Sequence, residues 1–251
     1  MLELSGVSRR FGGARAVDGV SWHLPPGRIT GLIGPNGAGK TTLFNLIAGS
    51  LRPTAGAISF EGRDIAHAPP HRRAALGLGR TFQIPRPFAA MTVLENVLLA
   101  AQRQSGERPF ANWLTPGTVA AQERRAIARA REIIDFLALT RLASAPAATL
   151  SGGQRKLLEL ARVLMAEPRL VLLDEPAAGV NPTLLETIID RIHDLHARGI
   201  AFLIVEHNLD LVARLCDEVH VMANGRLLTS GPPDAVTRDP RVVEAYLGGA
   251  A

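Results

Sequence analysis

The sequence predicts an α/β fold. It has a mostly parallel sheet core, an antiparallel β sub-domain at the N-terminal end and an α-helical sub-domain inserted in the middle. Three observations carry that expectation. A buried-type run at 29–33 and apolar runs at 170–173 and 200–205 are each followed by a segment with helical apolar spacing. Strands that are apolar throughout and linked through helices are the mark of a parallel sheet covered on both faces. Two shorter runs, 2–7 and 20–24, lie either side of a Gly12-Gly13 turn. Between residues 89 and 166 the apolar strands stop and helical patterns replace them.

In chain order, the strand Ile29 to Ile33 feeds the loop GPNGAGKT, and TTLFNLIAGSL after it keeps helical spacing until Gly49. Ala57 to Phe60 reads as a strand ended by Gly62, and Pro69-Pro70 punctuates the loop before a short helix around Arg72 to Leu76. Arg80 to Phe88, with two prolines, reads as irregular. Thr92 to Gln102 reads as a helix, with Thr92 as N-cap and Glu95 three residues on, a capping-box pattern. Residues 104–118 carry Gly, Pro, Ser and Asn and read as a loop or excursion. Long amphipathic spacing follows over Val119 to Leu139, then a further helix over Gly152 to Ala166. The strand Leu170 to Leu173 leads to a helix over 183–197, the strand 200–205 to a helix over 209–215. A hairpin turns at Asn224-Gly225 between 219–222 and 226–229, and a last helix covers 240–247 before a frayed end. The chain is thus expected to be one domain over 1–251, with a core lobe made of 1–88 and 167–251 and a helical sub-domain over 89–166.

Composition narrows the function classes. At 47% apolar and 20% charged residues, the 251-residue chain can bury a sizeable core and is not disordered by composition. The longest apolar stretch is Ile200 to Val205, far short of the roughly 20 residues a membrane helix needs. The opening MLELSGVSRRF lacks the basic-then-apolar layout of a secretory signal, so a cytoplasmic location is expected. The single cysteine, Cys216, excludes an intrachain disulfide. His67/His71 and His193/His196 have helical spacing that suits a metal, but no cysteine supports either pair. Net charge is +5, carried mostly by scattered arginines, and aromatics are only 4%, so stacking platforms for single strands are not expected. A solvated basic face is expected, and no direct nucleic-acid binding.

The chemistry lies in five places. Gly34-x-x-x-x-Gly39-Lys40-Thr41 is a complete P-loop with a strand before it and a helix after it, so the core is a P-loop NTPase. Phosphates need a concave array of backbone N–H groups, which Gly34, Asn36, Gly37, Ala38 and Gly39 supply at a helix N-terminus, with Pro35 shaping the loop without donating. Lys40 is expected to reach the β- and γ-phosphates of ATP, Thr41 to hold Mg²⁺, and Thr42 to donate to the α-phosphate. LVLLDE at 170–175 ends an apolar strand in two carboxylates. Asp174 is placed to hold Mg²⁺ and Glu175 to act as general base on water, although a D-E pair after a strand also serves as a helix cap. His207, after the next apolar strand, can bond the γ-phosphate or merely cap a helix, and Gln83 can sense Mg²⁺ or merely line a loop. Leu150 to Gln154 reads LSGGQ, with Ser151 as N-cap and Gly152-Gly153 opening a helix, a second anion-ready helix start. It lies at the head of the helical sub-domain, so a phosphate from another subunit is its simpler ligand.

At these residues the chain resembles the ATP-binding subunits of ABC transporters. GPNGAGKT at 34–41, Gln83 in TFQ, LSGGQ at 150–154, LVLLDEP at 170–176 and His207 in VEHN stand in the family's order, over nearly the whole length. The resemblance implies the RecA-like form of the P-loop fold, ATP and Mg²⁺, and a head-to-tail dimer sandwiching two ATPs. Ser151, Gly152, Gly153 and Gln154 would then face the ATP on the other subunit's P-loop. Phe11 occupies the place where the family stacks an aromatic on adenine, and Gln83, Asp174, Glu175 and His207 take its Mg²⁺ and hydrolysis positions. After the carboxylates many members read S-A-L-D; this chain reads Ala178-Gly179-Val180-Asn181, keeping hydrogen-bonding capacity and losing a charge.

GLGRTFQIPRPFAAMTVLENV at 77–97, EPAAGVNP at 175–182 and the ending EAYLGGA are similar to one branch, the ATPases of branched-chain amino acid importers. That branch also takes urea, amides and other small solutes. It implies two membrane permeases, a second ATPase subunit, a periplasmic solute-binding protein acting indirectly, and a place on the cytoplasmic face of the inner membrane. Export of lipid or lipopolysaccharide by a homodimer, and a non-transport role on nucleic acid or ribosomes, remain as alternatives. The latter relatives usually carry two ATPase halves or a long coiled-coil insert, and this chain has neither.

Overall fold

Alternating burial builds the first sheet. In β1 (Leu2–Phe11) Leu2, Leu4 and Val7 are buried, and in β2 (Ala14–Leu24) Val17, Val20, Trp22 and Leu24 are buried. The two pair antiparallel, from Leu2 opposite Leu24 to Phe11 opposite Ala14. Both strands run longer than the 2–7 and 20–24 patterns. Irregularities between Leu4 and Val7, Val7 and Arg9, and Arg9 and Arg10 break the two-residue alternation there, so the outer half of the hairpin has no clean sequence signal. With β4 (Ala55–Phe60) and β5 (Arg63–Asp64) they form a four-stranded antiparallel sheet in the order β2-β1-β4-β5. This is the expected N-terminal β sub-domain. The computed structural model describes residues 1–81, 87–102, 104 and 116–247.

The second sheet holds β3 (Ile29–Ile33), β6 (Leu78–Arg80), β7 (Leu170–Asp174), β8 (Ala201–Val205), β9 (Glu218–Ala223) and β10 (Arg226–Gly231). Their order is β10-β9-β3-β8-β7-β6, parallel throughout except for the β9–β10 hairpin. Every residue of β3, β7 and β8 is buried, which is why β8 and β7 up to Leu173 read as unbroken apolar runs and β3 as one interrupted by Thr30 alone. β6 had no such signal. Its three residues sit at the sheet edge, with Leu78 opposite Leu170, in a stretch dominated by Gly and Arg.

Nine helices are described: α1 (Lys40–Ala48), α2 (Pro70–Ala75), α3 (Val93–Leu98), α4 (Pro116–Phe136), α5 (Gly152–Met165), α6 (Pro182–Ala197), α7 (Leu209–Leu215), α8 (Pro233–Thr237) and α9 (Pro240–Leu247). α3 stops before the expected Gln102, and α8 lies in a stretch where sequence spacing indicated no helix. Of the excursion expected at 104–118, residues 105–115 lie outside the described residues.

The chain divides into two compact units. One comprises Met1–Arg80, Arg169–Ala178 and Ile192–Ala251 and holds both sheets. Its core joins the antiparallel sheet to the parallel one through Leu2, Leu4, Trp22, Leu43, Phe44, Ile58, Phe60, Leu172 and Leu203. The other comprises Thr81–Pro168 and Gly179–Arg191 and is helical. There α5 packs on α3 and α4 through buried residues that include Val93, Val97, Ile133, Ile134, Leu157 and Leu158. The Thr92–Glu95 capping box forms as the sequence predicts, with the Thr92 N–H donating to Glu95 Oε2 at 2.7 Å and the Glu95 N–H donating to Thr92 Oγ1 at 3.2 Å.

Candidate functional site

The parallel register fixes where the site lies. Leu32 of β3 and Asp174 of β7 both stand opposite Val205 of β8, so the three strands end at one level. The loops that leave them, at Gly34, Glu175 and Glu206, therefore emerge side by side from the carboxyl edge of the sheet, the usual place for a ligand in this class of fold.

The P-loop is shaped by close packing behind it. Gly34 has φ 145°, and a Cβ there would fall 2.1 Å from the Met222 carbonyl oxygen. Gly39 has φ 98°, and its Cβ would fall 2.3 Å from the Ala16 carbonyl oxygen. No other residue fits at either position. The β9–β10 turn fastens the loop, because the Gly225 N–H donates to the Ala38 carbonyl at 3.0 Å and the Asp18 N–H donates to the Gly225 carbonyl at 2.8 Å. Asn36 and Gly37 are exposed and Ala38 is buried. Lys40 opens α1 and is only 5% exposed; its Nζ donates to the carbonyls of Gly34 at 2.7 Å and Pro35 at 2.9 Å. Burial pushes the pKa of this ammonium down, and the negative charge of Glu175 opposes that shift. Thr41 is exposed and Thr42 half-buried on the first turn of α1.

Glu175 sits in the left-handed region at φ 48°, a conformation that disfavours a residue with a Cβ. It is held there by backbone bonds: its N–H donates to the Val205 carbonyl at 2.9 Å, and its carbonyl accepts the Ala178 N–H at 3.1 Å. The turn brings Glu175 Oε1 to 3.0 Å from His207 Nε2. Sequence spacing could place these two residues after neighbouring strands but not at that distance. Asp174, buried at the end of β7, has Arg80 Nη2 3.9 Å from its Oδ2. Arg80 also donates to Ser50 Oγ at 3.1 Å and lies 4.9 Å from the Phe44 ring centroid. Its burial lowers its pKa, with Asp174 acting against that. Phe11, at the tip of β1, is 46% exposed with the Arg9 guanidinium 4.6 Å from its ring centroid, an accessible aromatic face. Gln83 lies outside the described residues.

Ser151 to Gln154 belong to the helical unit. Ser151 caps α5: its Oγ accepts the Gln154 N–H at 3.3 Å, and Gln154 Oε1 accepts the Ser151 N–H at 2.9 Å. Ser151 and Gly152 are exposed. Gly153 is buried, and a Cβ on it would fall 2.2 Å from Leu184 Cδ2, so close packing on α6 by itself requires glycine there. Asn181 caps α6, its Oδ1 accepting the Leu184 N–H at 2.9 Å. The amide thus keeps the capping function that an aspartate would have.

The groups present suit a magnesium nucleotide. Thr41 and Asp174 offer hard oxygen donors of the kind Mg²⁺ takes. No side chain caps α1, in contrast to α3, α5 and α7. Among the described residues no cluster of three His, Cys, Asp or Glu side chains is arranged to hold a metal by itself. A magnesium ion here relies on substrate oxygens as well, as is usual for phosphoryl chemistry.

The family model described as ABC transporter matches residues 17–178. The chain belongs to the ABC transporter family. A second model, described as branched-chain amino acid ATP-binding cassette transporter, matches residues 226–251. A probable branched-chain amino acid transport ATP-binding protein LivG of Archaeoglobus fulgidus is 44% identical, covering 99% of this chain and 95% of that protein. The high-affinity branched-chain amino acid transport ATP-binding protein BraF of Pseudomonas aeruginosa is 39% identical over 99% of this chain and 98% of its own. Among solved structures, a nucleotide-free ATP-binding cassette from an ABC transporter superposes with TM-score 0.85 at 39% identity over 98% of both chains. A cassette in its ADP conformation gives 0.84 at 39% identity, over 99% of this chain and 98% of that one.

As an ABC ATPase, the chain carries two polar residues that the sequence did not mark. Glu206 is buried between the turns that carry Glu175 and His207, and Arg73 is buried at the far end of α1. Both are charged residues in otherwise unremarkable local sequence. The one available hint was that Glu206 directly continues a fully apolar strand.

Proposed function

We propose that the chain is the ATP-binding and hydrolysing subunit of an importer for branched-chain amino acids or a closely related small solute. The observation that carries the chemistry is the Glu175–His207 contact of 3.0 Å on the sheet edge that also bears the P-loop lysine. The names of the full-length relatives support the solute class.

The geometry of the described residues, together with the resemblance of the motifs, supports the following roles. Gly34 to Thr42 wrap the phosphates, with Lys40 turning its ammonium from its own loop carbonyls to the phosphate oxygens. Thr41 and Asp174 would hold Mg²⁺, with Gln83 completing the set, and the ion would supply positive charge against the phosphate oxygens. Glu175 accepts the proton of the attacking water, and His207, 3.0 Å from Glu175, orients that carboxylate and reaches the γ-phosphate. Phe11 stacks on the base. Ser151, Gly152, Gly153 and Gln154, on the helical unit, meet the nucleotide held by a second ATPase subunit, so ATP closes the pair and hydrolysis releases it. Among the described residues no helix is long and apolar enough to cross a membrane. The chain works at the cytoplasmic face, docked on two permeases near Gln83 to Asn96.

The test is purification of the chain from its native membranes in mild detergent, with its companions identified by peptide mass. Two multi-spanning subunits and a second ATPase are expected. A ribosomal or nucleic-acid complex without a membrane subunit would overturn the transport reading.

A further inference from the structure

Glu206 follows the last residue of β8 and is 4% exposed. Its Oε1 accepts the Ala177 N–H at 2.9 Å. Its Oε2 accepts the N–H groups of His207 at 3.0 Å and Asn208 at 3.4 Å. Ala177 lies two residues beyond Glu175, on the turn that holds Glu175 at φ 48°. One buried carboxylate therefore binds the backbone of both turns that carry the hydrolytic side chains.

Helix capping does not account for this arrangement. Asn208 already caps α7, its Oδ1 accepting the Leu211 N–H at 3.1 Å. A cap, moreover, needs no bond to a turn on the neighbouring strand. A buried carboxylate is costly unless its oxygens are satisfied, and here two separate segments satisfy them. The two turns consequently cannot separate without leaving Glu206 short of donors. His207 has no comparable anchor in its own burial, since its side chain is 43% exposed.

We propose that Glu206 is a positioning residue for ATP hydrolysis, setting the separation of Glu175 and His207 through the backbones of Ala177 and His207. It touches neither reacting group. The proposal rests on the reading of Glu175 and His207 as the hydrolytic pair, and the experiment separates the two.

Glu206→Gln keeps the size but leaves one acceptor oxygen, so its amide N–H₂ meets the N–H of one turn donor to donor. Glu206→Asp keeps the charge but shortens the reach. Phosphate release by the purified complex of the chain with its second ATPase and membrane subunits is measured against ATP concentration, together with the ATP affinity and melting temperature of the chain, in wild type, both variants, and each variant combined with His207→Ala. The Gln variant is expected to lose about ten- to a hundredfold in kcat, the scale of a misplaced catalytic group. KM and ATP affinity should stay within about twofold, and the loss should largely vanish in the His207→Ala background, because residues acting as one unit are not additive. The Asp variant should fall between. A kcat within about twofold of wild type, a loss confined to KM, or a loss of equal size with and without His207 overturns the proposal. Failure of both variants to fold also overturns it, marking Glu206 as a stability residue. If instead Glu175→Gln turns over as fast as wild type, the hydrolytic-pair reading itself has failed.

Discussion

Replacing Arg73 tests whether the nucleotide-binding helix is anchored from behind. The Arg73 guanidinium is 1% exposed and makes four bonds to backbone carbonyls. Its Nη1 donates to Leu46 and Ile47 at 2.7 Å each, its Nε to Ala68 at 2.9 Å and its Nη2 to Ala66 at 3.2 Å. Leu46 and Ile47 belong to the last turn of α1, where carbonyls lack helical partners and a cation is favoured. Burial pushes the guanidinium pKa down to about 10, so it remains cationic at neutral pH. Arg73→Met keeps the apolar volume and removes every donor. The two short charge-assisted bonds contribute about 1.5–3 kcal/mol each and the longer pair less, while the lost cost of burying the cation offsets part of this. A net destabilisation of about 3–4 kcal/mol results, which at a slope near 3 kcal/mol per molar should lower the urea midpoint by about 1 M. The assay is equilibrium urea unfolding followed by circular dichroism. Arg73→Lys, with a charge but fewer donors in a different geometry, should recover only part of the loss. A midpoint for Arg73→Met indistinguishable from wild type would refute the anchoring argument.

Three further outcomes are expected. Glu175→Gln should cut phosphate release at least about a hundredfold while ATP still binds, the scale of losing a general base, and equal turnover would count against Glu175. Gly153→Ala should destabilise the helical unit by about 1–3 kcal/mol through overpacking on Leu184, and Leu184→Ala in the same chain should recover much of it in thermal melts. His220 is buried, with its pKa lowered by burial to about 4 from the model-peptide range near 6.5. The unfolded chain therefore takes up the proton first, and stability falls as pH drops below 6.5 toward 4. Its share between pH 7 and pH 5 is about 2 kcal/mol, so His220→Phe should flatten that part of a stability–pH profile.

The parallel core was legible because β3, β7 and β8 are buried along their whole length and leave predominantly apolar runs. The P-loop was legible for a related reason. Gly34 and Gly39 are demanded by backbone oxygens 2.1 and 2.3 Å from where a Cβ would sit, a constraint imposed by the fold and written directly as residue type. The signal faded where structure interrupts its own periodicity. β1 carries two of its three irregularities beyond Val7, in the part that was missed, and β6 is too short to show a period at all. Gly153 shows another limit of motif reading. LSGGQ suggests a glycine kept for a ligand, whereas its contact with Leu184 requires glycine whatever meets the outer face of Gly152.

Buried charges were the least legible feature, and they share one physical design. Arg73 and Glu206 both spend their charge on neutral backbone groups: four carbonyls in one case, three N–H groups in the other. Nothing in the local sequence distinguishes such residues from solvated ones, because the partners are main-chain atoms that any sequence could supply. The design has a consequence for the site. Bonds buried from solvent are little screened by salt. The two clamps should therefore hold α1 and the Glu175–His207 pair over a wide range of ionic strength. Exposed ion pairs such as Arg129–Glu132 at 3.3 Å would weaken under the same changes. Fixed dipoles that need no rearrangement at the moment of reaction are also what electrostatic catalysis requires. Stability at the back of the P-loop helix and alignment at its front are thus supplied by the same kind of bond.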